Sequence, residues 1–175
     1  MSSYEHVLSR EGTNLQRSVM RELLRFAVDP TVISLAGGLP ASECLPLEAI
    51  RECMDTVLVR DGPRALQYSP QLQPLKEWIA GYMGTGGTEC TPEQVFITNG
   101  NQNGLAILSR LFLDPGEPAV IEDVTFTGVH QITVGRDAAV RTVPTDLVTG
   151  VDVEAVEEAF RTRPKPRLAV VITDF

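Results

Sequence analysis

The stretch Val95-Phe96-Ile97-Thr98-Asn99-Gly100-Asn101-Gln102-Asn103-Gly104-Leu105 holds the side chains best suited to grip a charged ligand. An apolar run with the look of a strand enters a glycine turn and leaves as a helix whose first residues are small amides. Unbonded N–H groups and the positive end of the helix dipole gather at such a start, a favourable seat for phosphate. Asn101 and Gln102 add amide donors without adding charge. The same residues describe an ordinary strand-to-helix turn capped by Asn99 or Asn101. Neither a P-loop nor a Gly-x-Gly-x-x-Gly pattern is present, which weighs against ATP and dinucleotides.

Other candidates are weaker singly. Glu122-Asp123-Val124-Thr125-Phe126 follows the next apolar run, at the carboxyl end of a strand, where open α/β sheets place ligands. Phe126 offers a ring face for a flat heterocycle, or is simply a core phenylalanine. Gly37-Gly38 demands unusual backbone angles or a close approach, and a turn explains it as well as a ligand does. Tyr68 stands in a loop followed by Pro70 and Pro74, as a site residue or a packed aromatic. His130 has no Ser, Cys or carboxylate at a catalytic spacing, and His6 lies near the N-terminus.

The elements that must position these groups follow from periodicity. Leu15, Val19, Leu23 and Phe26 recur at helical spacing, with Asn14 as cap and Asp29-Pro30 as stop. A helix fits residues 47–59, with Ile50, Met54 and Val57 on one face, ended by Asp61-Gly62-Pro63. After a loop over 66–74 comes a helix with Leu75, Trp78, Ile79 and Tyr82 inward, broken by Gly84-Thr85-Gly86-Gly87. Thr91-Pro92-Glu93-Gln94 has the form of a capping box with proline at the first helical position.

Residues 95–98 are expected as a strand, followed by an amphipathic helix with Leu105, Leu108, Leu111 and Phe112 on its buried side. Asp114-Pro115-Gly116 ends that helix, and 118–122 forms the next strand. Residues 126–134 suit helix or strand equally, 139–143 is a strand, and Asp152 caps a helix carrying Val153, Val156, Ala159 and Phe160. The continuous run over 168–172 is expected as a strand covered on both faces. This alternation predicts α/β architecture with a mainly parallel sheet, preceded by an N-terminal arm and helices. A chain that stops just after a buried parallel strand, without its covering helix, looks incomplete at the C-terminus.

Composition narrows the chemistry. Fifteen Lys and Arg against 23 Asp and Glu give a net charge of −8, a poor surface for nucleic acid or anionic lipid. No apolar run approaches the roughly 20 residues of a membrane helix, and the N-terminus lacks signal-peptide character. Cys44, Cys53 and Cys90 are odd in number and widely spaced, without a metal-like pattern, so a reduced, cytoplasmic protein is expected. Only Lys76 and Lys165 are lysines.

Taken in order, these segments resemble the fold-type I pyridoxal-phosphate aminotransferases, in particular the class I subgroup with the 2-aminoadipate and aromatic aminotransferases. Ile33-Ser34-Leu35-Ala36-Gly37-Gly38-Leu39-Pro40 is similar to the family's apolar-x-Gly-Gly-x-Pro entry, and Ala65-Leu66-Gln67-Tyr68-Ser69-Pro70 to its Leu-Gln-Tyr loop. Residues 95–102 are similar to its Ile-Thr-x-Gly-Ser-Gln cofactor turn. Residues 113–126 are similar to its Asp-Pro-Gly-Asp strand with a Glu-x-Pro-x-Tyr end.

The resemblance implies that Gly100, Asn101 and Gln102 hold the phosphate of pyridoxal 5′-phosphate, and that Phe126 stacks on its ring. It implies that Gly38 lies near the substrate carboxylate and that Tyr68 reaches a neighbouring subunit's phosphate, hence a homodimer. Substrates would be an amino acid and a 2-oxo acid, with no nucleic acid, membrane or metal. Residues 1–60 would be an N-terminal arm and helical segment of the small domain, and 61–175 the first part of the large, coenzyme-binding domain.

This sequence also departs from the family. Asn101 replaces a serine, Phe126 lacks the tyrosine hydroxyl, and the Tyr68 loop is about two residues shorter and lacks its usual glycine. The coenzyme-bearing lysine, the pyridinium-pairing carboxylate, the Asn-Pro-x-Gly turn and the carboxylate-clamping arginine lie downstream in the family. Lys76 and Lys165 sit in a helix and a proline-flanked linker, and Asp174 is not the pyridinium partner. The 175-residue chain alone is therefore expected to be inactive. The alternatives are a non-catalytic α/β module that binds a phosphate ligand or a subunit, and the sensor half of a transcription regulator. The latter needs a basic winged-helix domain ahead of residue 1, disfavoured by Met1 and the acidic N-terminus.

Overall fold

The protein is described by a computed structural model covering residues 5–14, 19–27, 31–33, 35 and 38–173. By contacts it divides into two compact units, Met1–Gly37 with Asn99–Phe175, and Gly38–Thr98.

The first unit is organised by strand β1 (Pro118–Glu122), all five residues of which are buried. Its continuous apolar run Ala119-Val120-Ile121 suits a strand covered on both faces. β1 pairs in parallel with β2 (Ala139–Val143) on one side and β5 (Leu168–Val170) on the other, in the order β2-β1-β5. Val120 stands opposite Arg141 and Ala169. Helix α5 (Asn101–Phe112) leads into β1, α6 (Thr127–Gly135) crosses from β1 to β2, and α7 (Val153–Arg161) precedes β5. The α/β class with a parallel sheet is therefore as the alternation predicts.

The turns obey local chemistry. Gly116, at φ +85°, turns the chain into β1, and its N–H donates to the Asp137 carbonyl at 2.8 Å. Asp152 caps α7, its carboxylate accepting from the Ala155 N–H at 2.8 Å. The undecided segment over 126–134 is helical, with Phe126 as the residue preceding α6. A small antiparallel pair, β3 (Thr145–Asp146) with β4 (Gly150–Val151), was not anticipated.

Several expectations are corrected. Residues 95–98 form no strand. The main chain of Ile97 is satisfied instead by the Gln71 side chain, which donates to its carbonyl at 2.8 Å and accepts from its N–H at 3.1 Å. β5 ends at Val170 and is a half-exposed sheet edge rather than a strand covered on both faces. On α5 the buried residue is Ser109, followed by Leu113 just past the helix, while Leu108, Leu111 and Phe112 are exposed. Asn14 is itself helical, the last described residue of α1 (Arg10–Asn14), and α2 spans Val19–Ala27. Leu15 and Asp29-Pro30 fall outside the described residues.

The second unit carries α3 (Leu47–Asp61) and α4 (Gln73–Thr85), with short 3-10 turns at Gly62–Leu66 and Pro92–Gln94. α3 ends at Gly62, φ +54°, as its sequence predicts, and the Gln94 side chain accepts from the Thr91 N–H at 2.9 Å as in a capping box. α4 begins inside the expected loop. Trp78 and Tyr82 do not point inward: both are exposed and stack on each other with ring centroids 5.4 Å apart.

Candidate functional site

Gly100 fixes the start of α5. Its φ of 80° and ψ of 167° suit glycine alone, and no side chain caps the helix. The first-turn N–H groups of α5 are therefore left for solvent or a ligand. The first helical bond runs from the Gly104 N–H to the Gly100 carbonyl at 3.3 Å. Asn103 folds back so that its Oδ1 accepts from the Asn99 N–H at 3.3 Å. Asn101 is exposed beside these donors.

Gln102 reaches the start of α6. Its Nε2 donates to the Gly128 carbonyl at 3.0 Å, tying α5 to the first turn of α6. Phe126 immediately precedes α6 and is 50% exposed, so a ring face is available. Gly128 itself is buried, with the Gln102 amide and an edge of the Phe126 ring packed where a side chain would begin. The structure thus brings together two of the expected site residues through a third that sequence reading missed. Nothing in the sequence singles it out, since Gly135 lies in the same segment and a glycine inside a helical pattern is tolerated.

The carboxyl ends of the strands meet at the same place. Glu122 is fully buried at the end of β1, its carboxylate accepting from the Ile172 N–H at 2.7 Å and from the Thr145 hydroxyl at 3.5 Å. Asp123 Oδ1 accepts from the N–H groups of Val124 and Thr145 at 2.8 and 2.9 Å. Together they tie the end of β1 to the chain just past β5 and to the chain leaving β2. Thr125 Oγ1, next to Phe126, is buried without a partner among the described residues.

Gly38 and Tyr68 belong to the other unit. Gly38 sits at φ +57° in a turn, as a glycine-requiring entry predicts, while Gly37 lies outside the described residues. Tyr68 is 95% exposed, its ring held by nothing in that unit. Lys165 lies between α7 and β5 and Lys76 in α4, while His130 is exposed on α6. No cluster of metal-ligating side chains occurs among the described residues. No helix among them is long and apolar enough to cross a membrane.

Chemically, the first unit offers uncharged donors at a helix start, a half-exposed aromatic ring, and an unsatisfied buried hydroxyl beside it. That donor set fits the phosphate ester of a flat aromatic coenzyme.

Comparison with known proteins points the same way. The chain is 34% identical to the 2-aminoadipate transaminase of Thermus thermophilus over 99% of its own length and 42% of that protein's. It is 32% identical to aromatic-amino-acid aminotransferase 1 of Thermococcus litoralis, over 90% of its length and 38% of that protein's. Its fold matches the crystal structure of the alpha-aminoadipate aminotransferase from Thermus thermophilus, complexed with N-(5′-phosphopyridoxyl)-L-leucine, with a TM-score of 0.83. That match covers 98% of this chain and 41% of the other. The chain thus spans about two-fifths of the length of the relatives it matches. The model of the aminotransferase class I and II family fits residues 30–174, and the chain belongs to that family.

Proposed function

We propose that this chain is the N-terminal portion of a pyridoxal 5′-phosphate-dependent aminotransferase, which moves an amino group between an amino acid and a 2-oxo acid. Residues 1–60 would supply the arm and the start of the small domain, and 61–175 the first part of the coenzyme-binding domain. The observation that carries the reading is the uncapped start of α5 beside the Phe126 ring, within a sequence that matches the family along most of its length.

When bound, the coenzyme supplies an electron sink for the charge that develops as a bond to the amino-acid Cα breaks. The chain's own residues bind and orient. The first N–H groups of α5, with Asn101 and Gln102, hold the phosphate, and Phe126 lies against the ring. Gly38 keeps the entry loop close to the substrate carboxylate. Tyr68, so exposed within its own unit, reaches the phosphate of a second copy, which makes the protein a homodimer. With no membrane-crossing helix among the described residues and three free cysteines, a cytoplasmic setting fits.

The test is coenzyme retention, followed by absorbance after dialysis, with transamination assayed in parallel on the full-length polypeptide that carries these residues. Hydrogen bonds to a charged group contribute about 1.5–3 kcal/mol each, and ring stacking about 0.5–1.5 kcal/mol. Gln102→Ala and Asn101→Ala are therefore expected to weaken retention at least as much as Phe126→Leu, and Phe126→Tyr is expected to be tolerated. If both amide variants hold coenzyme as tightly as the unmutated protein, the turn at Gly100 is only a turn.

A further inference from the structure

We propose that Gly128 is a positioning residue of the coenzyme site: its lack of a side chain lets the Gln102 amide and the Phe126 ring fold against the start of α6 as one unit. The proposal rests on the aminotransferase reading above and deepens it, because it names what fixes the phosphate-side amide relative to the ring.

A Cβ built on Gly128 would stand inside van der Waals contact of Gln102 Oε1 and Phe126 Cε1, and 2.9 Å from Gln102 Cδ. Backbone strain is not the reason for glycine here, because Gly128 lies within α6 and is not among the positive-φ residues. Helical position alone does not explain it either. Gly81 and Gly84, inside α4, have open space where a Cβ would sit. What marks Gly128 is its two neighbours, and they are the side chains assigned to phosphate and ring. Its carbonyl completes the arrangement by accepting from Gln102 Nε2 at 3.0 Å.

The contacted atoms are the far ends of two side chains, not backbone. An alanine can therefore be housed by turning Gln102 and Phe126 away, and α6 itself favours alanine over glycine. The fold loses little, and the cost falls on where the amide and the ring lie. That separation distinguishes a positioning residue from one needed only for packing.

The experiment uses the full-length polypeptide, with pyridoxal 5′-phosphate as the probe. Three quantities are compared between the unmutated protein and Gly128→Ala: the coenzyme dissociation constant, the melting temperature without coenzyme, and the NMR signal of the Gln102 side-chain amide without coenzyme. Expected are about tenfold weaker binding, from a displaced ring and a lost amide contact, an unchanged or higher melting temperature, and an amide signal moved toward that of a solvated glutamine. A double variant, Gln102→Ala with Gly128→Ala, removes the nearest clash. Its loss of affinity should be smaller than the product of the two single losses.

Unchanged coenzyme binding in Gly128→Ala overturns the proposal and leaves the aminotransferase reading standing. So do single losses that simply multiply, and so does a lowered melting temperature with an unmoved amide signal. Should Gly128→Ala fail to fold while the double variant folds, glycine is needed there for packing, which overturns the proposal and leaves the aminotransferase reading standing. Failure of both to fold overturns it. An unmutated protein that takes up no coenzyme overturns the aminotransferase reading, and the proposal with it.

Discussion

The sheet around β1 and the helices over 38–98 carry apolar side chains in comparable patterns, yet they bury them very differently. In β1, Ala119, Val120 and Ile121 are almost wholly inaccessible, and neighbouring elements contribute Leu113, Val129 and Val143 to the same core. In the other unit, Ala80 is the only buried residue among those described, while Ile50, Met54, Trp78 and Tyr82 are all exposed. An amphipathic pattern specifies which face of a helix favours burial. It does not specify what covers that face. β1 finds its cover within this stretch of chain, because β2 and β5 flank it and α6 crosses directly between β1 and β2. The stripes on α3 and α4 do not find theirs in their own unit.

The largest expected effect tests that contrast directly. In the 175-residue chain, Ile121→Ala should lower unfolding stability by about 2–5 kcal/mol, the range for emptying a tightly packed aliphatic site. Met54→Ala should cost no more than about 0.5 kcal/mol, as for an exposed position. Urea midpoints of both variants give the comparison, and equal losses would show that α3 is as well covered as β1.

Glu122 sharpens the contrast at the edge of the core. Glu122→Leu keeps the bulk but leaves the Ile172 N–H unpaired, at a cost of about 1–3 kcal/mol, since a buried donor loses its acceptor. Glu122→Gln retains an acceptor oxygen and should restore much of the loss. A glutamine variant as unstable as the leucine one would show that the tie from β1 to the end of β5 needs the charge itself.

Weaker still is the docking of α1 on the sheet unit. Glu11 lies between Arg110 at 3.5 Å and Arg136 at 3.3 Å, Arg10 pairs with Asp137, and α1 buries no residue of its own. Exposed ion pairs contribute about 0.2–1 kcal/mol and are screened by salt. Glu11→Gln should lower stability by no more than about that amount. It should also flatten the salt dependence of amide exchange in α1. An unchanged salt response would show that packing, not charge, holds this helix.

Much of this was legible in the residues. The turn at Gly100, the stop at Asp114-Pro115-Gly116, the Asp152 cap and the central apolar strand each follow from short-range chemistry, so sequence alone locates them. Residues 95–98 did not behave as expected because a strand needs a partner as well as β-branched or aromatic residues. Ile97 found the Gln71 side chain, 26 positions earlier. The buried side of α5 was misjudged for a related reason. Periodicity marks the stripe Leu105-Leu108-Leu111-Phe112, of which only Leu105 is half-buried; the buried residue of the helix is Ser109, and Gln102 is the side chain that bonds to α6. At the candidate site, the donors and the ring were visible as residue types. Gly128 and Thr125, which set their surroundings, show their importance only when α5 and α6 come together.

The smallest expected effect lies farthest from the core, in the β3–β4 turn. Asp146 Oδ1 accepts from the N–H groups of Val148 and Thr149, each at 2.8 Å. The bonds from the Thr149 and Val148 amides, with help from the Thr149 hydroxyl, hold the Asp146 carboxyl below its ordinary value. Because the folded value lies below the unfolded one, the turn gains stability from the ionised form above the unfolded value of about 3.9. That gain is lost as pH falls through the folded value. Acid should therefore loosen this turn only below the ordinary carboxyl range, and only locally, since the group is fully solvated. Following the Val148 and Thr149 amide signals from about pH 6 downward should give a midpoint below about 3.9. In Asp146→Asn the same signals should stop titrating in that range. A midpoint at or above the unfolded value would mean that the two N–H groups do not grip the carboxylate, and that this turn is set by Gly150, at φ +88°, alone.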